Sequence, residues 1–167
     1  MVGKTPQIRK AERDRMEIIV KHCGCLPCLL VGYLDMHTSI EHVTDRGRRV
    51  GKGSEQHKWT LGLCVWHHYG HQQNHRTRQW MSGEFGPPLT WGRKSFEEHF
   101  GDELTVLMPV QDFMLELFAE NPWPEYAVPR HIAHKVRDHW IDLNHAAHRH
   151  TQKLPQAGSS GAGQGIG

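Results

Sequence analysis

Two pairs of potential metal ligands stand far apart in this chain and constrain its fold more than any other feature. Cys25 and Cys28 are separated by two residues. Cys64 and His67 repeat that spacing much later in the sequence. This spacing brings two side chains to one metal ion, and zinc accepts three thiolates and one imidazole in a closed tetrahedron. We therefore predict that the chain folds back on itself around a structural zinc site formed by these four residues.

Cys23 is a further thiol beside the first pair. It is either a free cysteine or a ligand that replaces Cys25. Three cysteines so close together cannot link distant segments by disulfides, so metal ligation in a reducing cytosol is the better interpretation. The sequence shows neither a secretory apolar region nor a run of about 18 to 20 apolar residues, so we expect a cytoplasmic protein without a membrane span.

The apolar content predicts a small hydrophobic core. Only 37% of the 167 residues are hydrophobic, which is below the usual share in globular domains. A bound metal would supply part of the missing stability, because binding to a site that exists only in the folded state adds to the free energy of folding.

Charge is distributed unevenly although the formal net charge is only +2. Residues 1–21 and the loop from residue 45 to residue 58 are rich in Lys and Arg, whereas residues 101–128 are acidic and contain neither. This asymmetry predicts one surface that binds a polyanion and another that faces away from it. The alternative is that these segments are ordinary solvated surfaces.

Local patterns predict an α+β fold. Alternating residues indicate strands at 36–43 and 58–63 around a loop rich in Gly and Arg, and the polar run 67–79 indicates a helix. A connecting loop is expected at 82–94, followed by a short helix with a capping box from Ser95 to Glu98 that ends at Gly101.

Two proline residues and an apolar stripe predict the later helices. Pro109 opens or kinks a helix through about Glu120, and Pro129 opens the last one. The stripe of that last helix comprises Ile132, Val136, Trp140, Leu143 and Ala147. The predicted organisation is a basic helix or arm (1–21), a core (22–80), a helical extension packing on the core (81–153) and a disordered, flexible tail (154–167).

An acid-His pair lies midway between the ligand pairs. Glu41 and His42 end the first predicted strand, and the segment CVWHH opens the following helix. This order resembles the HNH endonucleases, whose core is a ββα-metal fold. The resemblance implies that His42 is the general base, and that Glu41 and His68 hold a catalytic Mg²⁺ or Mn²⁺ beside the structural zinc. It also implies phosphodiester hydrolysis of DNA, with 5′-phosphate and 3′-hydroxyl products.

A longer set of residues is similar to one branch of that family. The segments EHVTDRGR, LGLCVWHH and SFEEHFG, with His57 in the loop, resemble the phage Ref nucleases, the recombination-enhancement, RecA-dependent group. The resemblance extends to about Met108. It implies that the substrate is single-stranded DNA or a displacement loop made by a RecA filament, in a bacterial cell that carries the phage or prophage.

Further residues around the expected site remain open to more than one interpretation. His57 could orient the loop, contact phosphate, join the site, or simply be solvated, and His71 is a candidate additional ligand of the catalytic metal. The expected DNA-binding residues are Arg46, Arg48, Arg49, Lys52 and His57, because a loop beside His42 must face the substrate.

Two other functions fit the same ligand pairs. One is an HNH restriction or toxin nuclease that needs no RecA. The other is a zinc module that binds nucleic acid without catalysis, although such a module would have no use for an acid and a base beside an open coordination position.

Overall fold

The structure is a computed structural model that describes residues 8–45 and 48–152. Helices and two small antiparallel sheets make up this part of the chain, which confirms the predicted α+β class. The helices are α1 (Lys10–Ile18), α2 (Leu26–Leu30), α3 (Val65–Tyr69), α4 (Arg78–Phe85), α5 (Arg93–Phe100), α6 (Met108–Glu120) and α7 (Arg130–Gln152). The strands are β1 (Ser39–His42), β2 (Thr44–Asp45), β3 (Arg48–Arg49) and β4 (Thr60–Leu63). The expected disordered tail, residues 154–167, lies outside the described residues.

Shorter elements complete the described backbone. Two 3-10 helices lie at Gly53–Lys58 and Leu89–Trp91. Two π-helical turns extend α1 (Ile19–Cys23) and precede α6 (Glu103–Leu107). None of the helices in the described ranges combines the length and the apolar character that crossing a bilayer requires.

A long hairpin brings the two halves of the ligand set together. Strands β1 and β4 pair antiparallel, with Ser39 opposite Leu63 and His42 opposite Thr60. All four residues of β4 are buried, so this strand is held in the core while β1 is only partly covered. The loop between them forms the small β2–β3 ladder and a 3-10 helix. Both predicted strands are therefore present, each shorter than expected.

Helix α3 is much shorter than the predicted helix over 67–79, and that expectation is wrong. Gly70 adopts a left-handed conformation with φ of 70° and its N–H donates to the Trp66 carbonyl, which ends the helix at Tyr69. A new helix, α4, begins after Thr77, whose side chain accepts a hydrogen bond from the Trp80 N–H at 3.1 Å. Part of the predicted loop over 82–94 is therefore helical.

The later helices follow the predictions more closely. Helix α5 ends at Gly101 as expected, but it begins at Arg93, so the capping box at Ser95 is wrong. Helix α6 carries Pro109 in its first turn, and α7 begins directly after Pro129. Ile132 and Val136 of α7 are buried in the core, and Trp140 and Leu143 pack against it, which confirms the apolar stripe.

The hydrophobic core connects the hairpin to the helical segments on both sides of it. The main cluster contains side chains from α2, β4, α5, α6 and α7, including Leu29, Leu61, Phe96, Met114 and Val136. A second, smaller cluster surrounds the buried cysteines and contains Trp66 and Met81. The hairpin is thus anchored through β4, while β1 remains accessible at the surface.

The acidic segment contacts the basic first helix. Arg15 of α1 forms an ion pair with Asp112 of α6 at 2.7 Å, and Lys21 lies 3.3 Å from Glu125. Lys10 and Lys21 also pair with Asp14 and Glu17 along the first helical segment. Three cations of the described part of this segment are therefore paired with acidic neighbours, and the predicted separation of charged surfaces is incomplete.

Close backbone approach at Gly62 provides a test of this architecture. A Cβ atom at Gly62 would lie 2.5 Å from the Gly24 carbonyl oxygen and 2.9 Å from Ile19 Cγ2, so Gly62→Ala should lower the free energy of unfolding by about 1 to 3 kcal/mol. Gly83→Ala is the matched control, because a Cβ there meets nothing within 4 Å and alanine favours the helix by up to about 1 kcal/mol. Thermal and urea unfolding measure both. Equal stability of the two variants would contradict the close approach.

Candidate metal centre and candidate active site

Four buried side chains form a compact cluster between α2 and α3. Cys25 precedes α2 and Cys28 lies on it, while Cys64 precedes α3 and His67 lies on it. Their ligand atoms all lie within 4.8 Å of one another. Such a set of three sulfurs and one nitrogen is the donor type that structural zinc sites use. The cluster could therefore hold a zinc ion.

The distances within the cluster agree with a tetrahedral zinc centre. Zinc–sulfur bonds of about 2.3 Å and a zinc–nitrogen bond of about 2.0 Å separate two sulfurs by roughly 3.8 Å and a sulfur from the nitrogen by roughly 3.6 Å. The Sγ atoms of Cys28 and Cys64 are 3.7 Å apart. His67 Nδ1 lies 3.3 to 3.4 Å from the sulfurs of Cys25, Cys28 and Cys64.

The far side of the His67 ring determines which nitrogen faces the cluster. His67 Nε2 lies 2.8 Å from the Phe85 carbonyl oxygen, which can only accept a hydrogen bond. A neutral ring that donates from Nε2 leaves the lone pair of Nδ1 directed at the three sulfurs. Metal-bound histidines usually donate their second N–H in this way, which orients the ring and increases its basicity.

The three thiols lie so close together that the cluster is electrostatically unfavourable without a cation. Hydrogen bonds with Cys25 and Cys64 raise the pKa of the Cys28 thiol far above its ordinary value, while hydrogen bonds from Cys25 and Cys28 lower the pKa of Cys64. The opposite directions of these two pKa shifts mean that Cys28 and Cys64 do not ionise together in the absence of a cation. A divalent cation removes this conflict, because it stabilises every thiolate at once.

Cys23 lies outside the cluster although it is also buried. It exposes only 2% of its surface, and it belongs to the main hydrophobic cluster instead of the ligand set. Burial raises the pKa of its thiol to about 12, with Arg15 and Gln111 acting in the opposite direction. The ligand set found here contains Cys25, so the interpretation in which Cys23 replaces it is wrong.

A second group forms where β1 meets α3. Glu41 Oε2 of β1 lies 2.6 Å from His68 Nε2 of α3. On its other side, His68 Nδ1 lies 2.9 Å from the Ser39 hydroxyl, which itself donates to the Leu63 carbonyl oxygen at 3.2 Å. Because the single hydroxyl hydrogen is used on Leu63, the Ser39 oxygen accepts from His68 Nδ1–H. In neutral His68 the lone pair of Nε2 then faces the carboxylate.

That arrangement places the Glu41 carboxylate oxygen next to the lone pair of His68 Nε2. The Glu41 carboxylate and the Nε2 lone pair of a neutral His68 repel each other unless a cation lies with them. A proton on His68 satisfies both atoms at the 2.6 Å separation found here, and a metal ion bound beside the two groups would satisfy them as well. Carboxylate oxygen and imidazole nitrogen together suit Mn²⁺ and zinc as well as Mg²⁺.

His42 faces a different neighbour from Glu41. Successive strand residues point to opposite faces, so Glu41 faces α3 while His42 faces the loop. His42 Nε2 lies 3.0 Å from His57 Nδ1 of the 3-10 helix. Burial lowers the pKa of the His42 imidazole, and the charges of Arg49 and His57 act in the same direction. A lowered pKa keeps this ring neutral, as a general base must be.

The other predicted site residues surround these groups to different extents. Arg48, Arg49 and Lys52 are exposed, and the two arginines line an open hollow of about 630 Å³ beside Asp45 and Gly51. Arg46 lies outside the described residues. His71 is exposed, and its ring centroid lies 5.7 Å from that of Tyr69. Among the described residues, the cysteine cluster is the only set of three or more potential ligands within 4.8 Å, so His71 does not join Glu41 and His68 in this conformation.

Sequence analysis missed three residues around the second group. Ser39 could have been found, because it lies two residues before Glu41 and therefore on the same strand face. Tyr69 stacks on His68 with ring centroids 3.9 Å apart. Arg93 donates to the Thr44 hydroxyl at 2.5 Å and to its carbonyl oxygen at 3.2 Å, and it pairs with buried Glu103 at 2.6 Å. The contacts of Arg93 join segments distant in sequence, and no local pattern indicates them.

Comparison with known protein families gives a match. The family described as recombination enhancement, RecA-dependent nuclease matches residues 9–115, which is more than half of the chain. The chain belongs to this family. The matched segment contains both the cysteine cluster and the Glu41–His68 group, and the family description implies nuclease activity in recombination. Neither a curated protein nor a solved structure matches the chain.

The metal cluster generates a prediction that separates its cysteines from Cys23. Cys64→Ser should lose bound zinc and lower the melting temperature, because it removes one of four ligands from a site that joins two helices. Cys23→Ser is the matched control and should retain a full equivalent of zinc, whatever its effect on stability. Elemental analysis of the purified proteins measures the metal. A Cys64→Ser protein that keeps its zinc would exclude the structural site.

Proposed function

We propose that this protein is a metal-dependent DNA endonuclease of the HNH type, stabilised by a structural zinc at Cys25, Cys28, Cys64 and His67. The observation that carries the proposal is the 2.6 Å approach of Glu41 Oε2 to His68 Nε2, with His42 adjacent in β1. In a member of a nuclease family, a carboxylate and an imidazole that can bind a divalent cation together support a site for phosphodiester hydrolysis. The strand, strand and helix that carry them have the order of a ββα-metal core.

In this proposal Glu41 and His68 hold the catalytic metal, and His71 remains a candidate additional ligand. A divalent cation bound there would neutralise charge on the scissile phosphate and on the leaving 3′ oxygen. Ser39 holds the His68 ring so that Nε2 presents its lone pair beside the carboxylate. The stacked ring of Tyr69 restricts His68 further.

His42 is the proposed general base. If His42 donates from Nε2 to His57 Nδ1, its own Nδ1 is left as the proton acceptor. That nitrogen would take the proton of the attacking water, and the products would carry 5′-phosphate and 3′-hydroxyl ends. In this scheme His57 is a positioning residue that orients the His42 ring. Joining the site was one of the roles that the sequence left open for it.

Exposed cations near His42 suit a DNA backbone. Arg48 and Arg49 line the hollow in the loop, and the charge of Arg49 contributes, after burial, to the lowered pKa of His42. Guanidinium groups in such a position can bind the phosphates beside the cut. Lys52 and Arg46 are proposed to add further contacts from the same loop. The proposed substrate is a displacement loop that a RecA filament makes during phage recombination.

His42→Ala tests the assignment of the base. The variant should cleave roughly 100-fold to 10,000-fold more slowly than the unchanged protein, because general base catalysis is typically worth that much, and it should retain zinc and its melting temperature. His145→Ala, an exposed histidine of α7, is the control and should cleave normally. A His42→Ala protein with normal cleavage would remove the base assignment.

The same assay distinguishes the alternative functions. Supercoiled and single-stranded DNA are incubated with Mg²⁺ or Mn²⁺, with and without RecA, ATP and a matching oligonucleotide. Cleavage only when RecA has paired the oligonucleotide supports the proposal. Cleavage of duplex DNA without RecA would instead indicate an independent HNH nuclease. No cleavage under any condition would leave a zinc module that binds without catalysis.

Ser39→Ala tests the metal site without removing a proposed ligand. Loss of the hydroxyl should raise the Mn²⁺ concentration for half-maximal cleavage by about 10-fold to 100-fold, because partners that orient a ligand typically contribute that much. Ser39→Thr keeps the hydroxyl and should restore much of the affinity. Metal titrations of cleavage rate give the result, and an unchanged titration for Ser39→Ala would contradict the role of the Ser39–His68 contact.

A further inference from the structure

A cavity of about 390 Å³ lies between α7 and the segment that follows the first cysteine pair. We call it the α7 groove. Its floor is formed by the apolar side chains of Leu29, Leu34 and Ala133, and its rim by Arg130, His134 and Arg137. No residue of the lining is acidic. The rim residues lie beyond residues 9–115, the segment matched by the family.

The rim of the groove carries two guanidinium groups and an imidazole on one helix face. Arg130, His134 and Arg137 are spaced by four and three residues, which places them one above another on α7. In the described part of the chain, neither guanidinium forms an ion pair with a carboxylate. The nearby carboxylate of Asp35 is engaged elsewhere, because its Oδ1 accepts the Val128 N–H at 2.8 Å.

The first helical segment shows the opposite pattern. Three of its five described cations, Lys10, Arg15 and Lys21, have acidic partners within 3.3 Å, whereas Arg9 and Arg13 have none. A strand of DNA would have to displace those carboxylates before it could use these side chains. Arg130 and Arg137 of the α7 groove have no carboxylate partner to displace, and the donors of their planar guanidinium groups match the geometry of phosphate oxygens.

We propose that the α7 groove binds single-stranded DNA, with a sugar against the apolar floor and its flanking phosphates on Arg130 and Arg137. This inference rests on the proposed function, since it supplies the nuclease with a second contact to its substrate. A volume of 390 Å³ is within the range of small-ligand pockets and suits one nucleotide unit. A flexible single strand can enter a concave groove, whereas a stiff duplex presents a convex backbone that would touch only the rim.

The position of the groove connects it to the metal cluster. Its floor residue Leu29 lies on α2, directly after the cluster residue Cys28. Helix α2 packs against α7 in the core, so both walls of the groove are held by buried contacts. A strand bound there would be held by helices that pack in the core beside the cysteine cluster.

Removal of the two rim charges tests the proposal. Arg130→Gln/Arg137→Gln is compared with Lys135→Gln/Arg149→Gln, which removes the same charge from α7 outside the groove. Both are made in the His42→Ala background so that the DNA remains intact. Binding of a fluorescein-labelled oligothymidine of roughly 16 nucleotides is followed by anisotropy over a range of KCl concentrations.

The groove variant should bind the oligothymidine about tenfold more weakly at low salt, and the slope of log affinity against log salt should fall by about 1.4, because each phosphate contact on a single strand contributes about 0.7. The control double variant should retain both values within experimental error. A duplex of matching length should lose much less affinity than the single strand when the groove is changed.

Three results would overturn the proposal. They are unchanged binding by the groove variant, an equal loss in both double variants, and an equal loss for duplex and single strand. All variants must first show the same melting temperature and zinc content, which excludes misfolding as the cause. Cleavage is measured separately with His42 intact, so a failed nuclease assay beside the expected binding loss removes the proposed function and leaves the groove.

Discussion

The meeting of Cys25 and Cys28 with Cys64 and His67 is the constraint on which the rest of the structure depends. Helices α2 and α3 have five residues each, far below the length at which an isolated helix is stable in water. Their positions therefore have to come from contacts made by their side chains, and the cluster supplies four of these at one point. Since His68 follows His67 on a short rigid helix, the orientation that directs one ring to the cysteines also directs the next ring to Glu41. The buried cysteine cluster thus orients the Glu41–His68 group.

The sequence predicted the features that depend on spacing or period. Two ligand pairs with the same spacing, a strand that ends in Glu41 and His42, and an apolar stripe on α7 are all local patterns, and the structure contains each of them. The end of α3 at Gly70 was missed because a polar run without proline was given more weight than a single glycine, although a left-handed residue can satisfy the last carbonyls of a helix. The choice between Cys23 and Cys25 as the metal ligand could not be made from sequence, because both lie close to the turn before Cys28. Only the packing of the complete fold places Cys23 beside Gln111 and outside the ligand cluster. Contacts such as Arg93 to Thr44 depend on the complete fold.

Electrostatics in this protein are more local than the charge pattern of the sequence suggests. The basic first helix and the acidic segment are contiguous in space, and their charges largely compensate each other at short range. Exposed ion pairs of this kind contribute little stability, but they occupy cations that would otherwise be available to phosphate. Arginines without a carboxylate partner are found in the β2–β3 loop and on α7, and also on α1 (Arg13) and just before α4 (Arg76). The β2–β3 loop and α7 are therefore two of the described regions that offer free positive charge to a polyanion.

The alternating faces of β1 carry one more consequence. Glu41 and His42 are neighbours in the chain, yet one contacts α3 and the other contacts the 3-10 helix. A register shift of one residue between β1 and β4 would exchange these two environments, because strand side chains alternate with a period of two. An insertion or deletion within the four residues of β1 would turn Glu41 away from His68 and toward the face that holds His57.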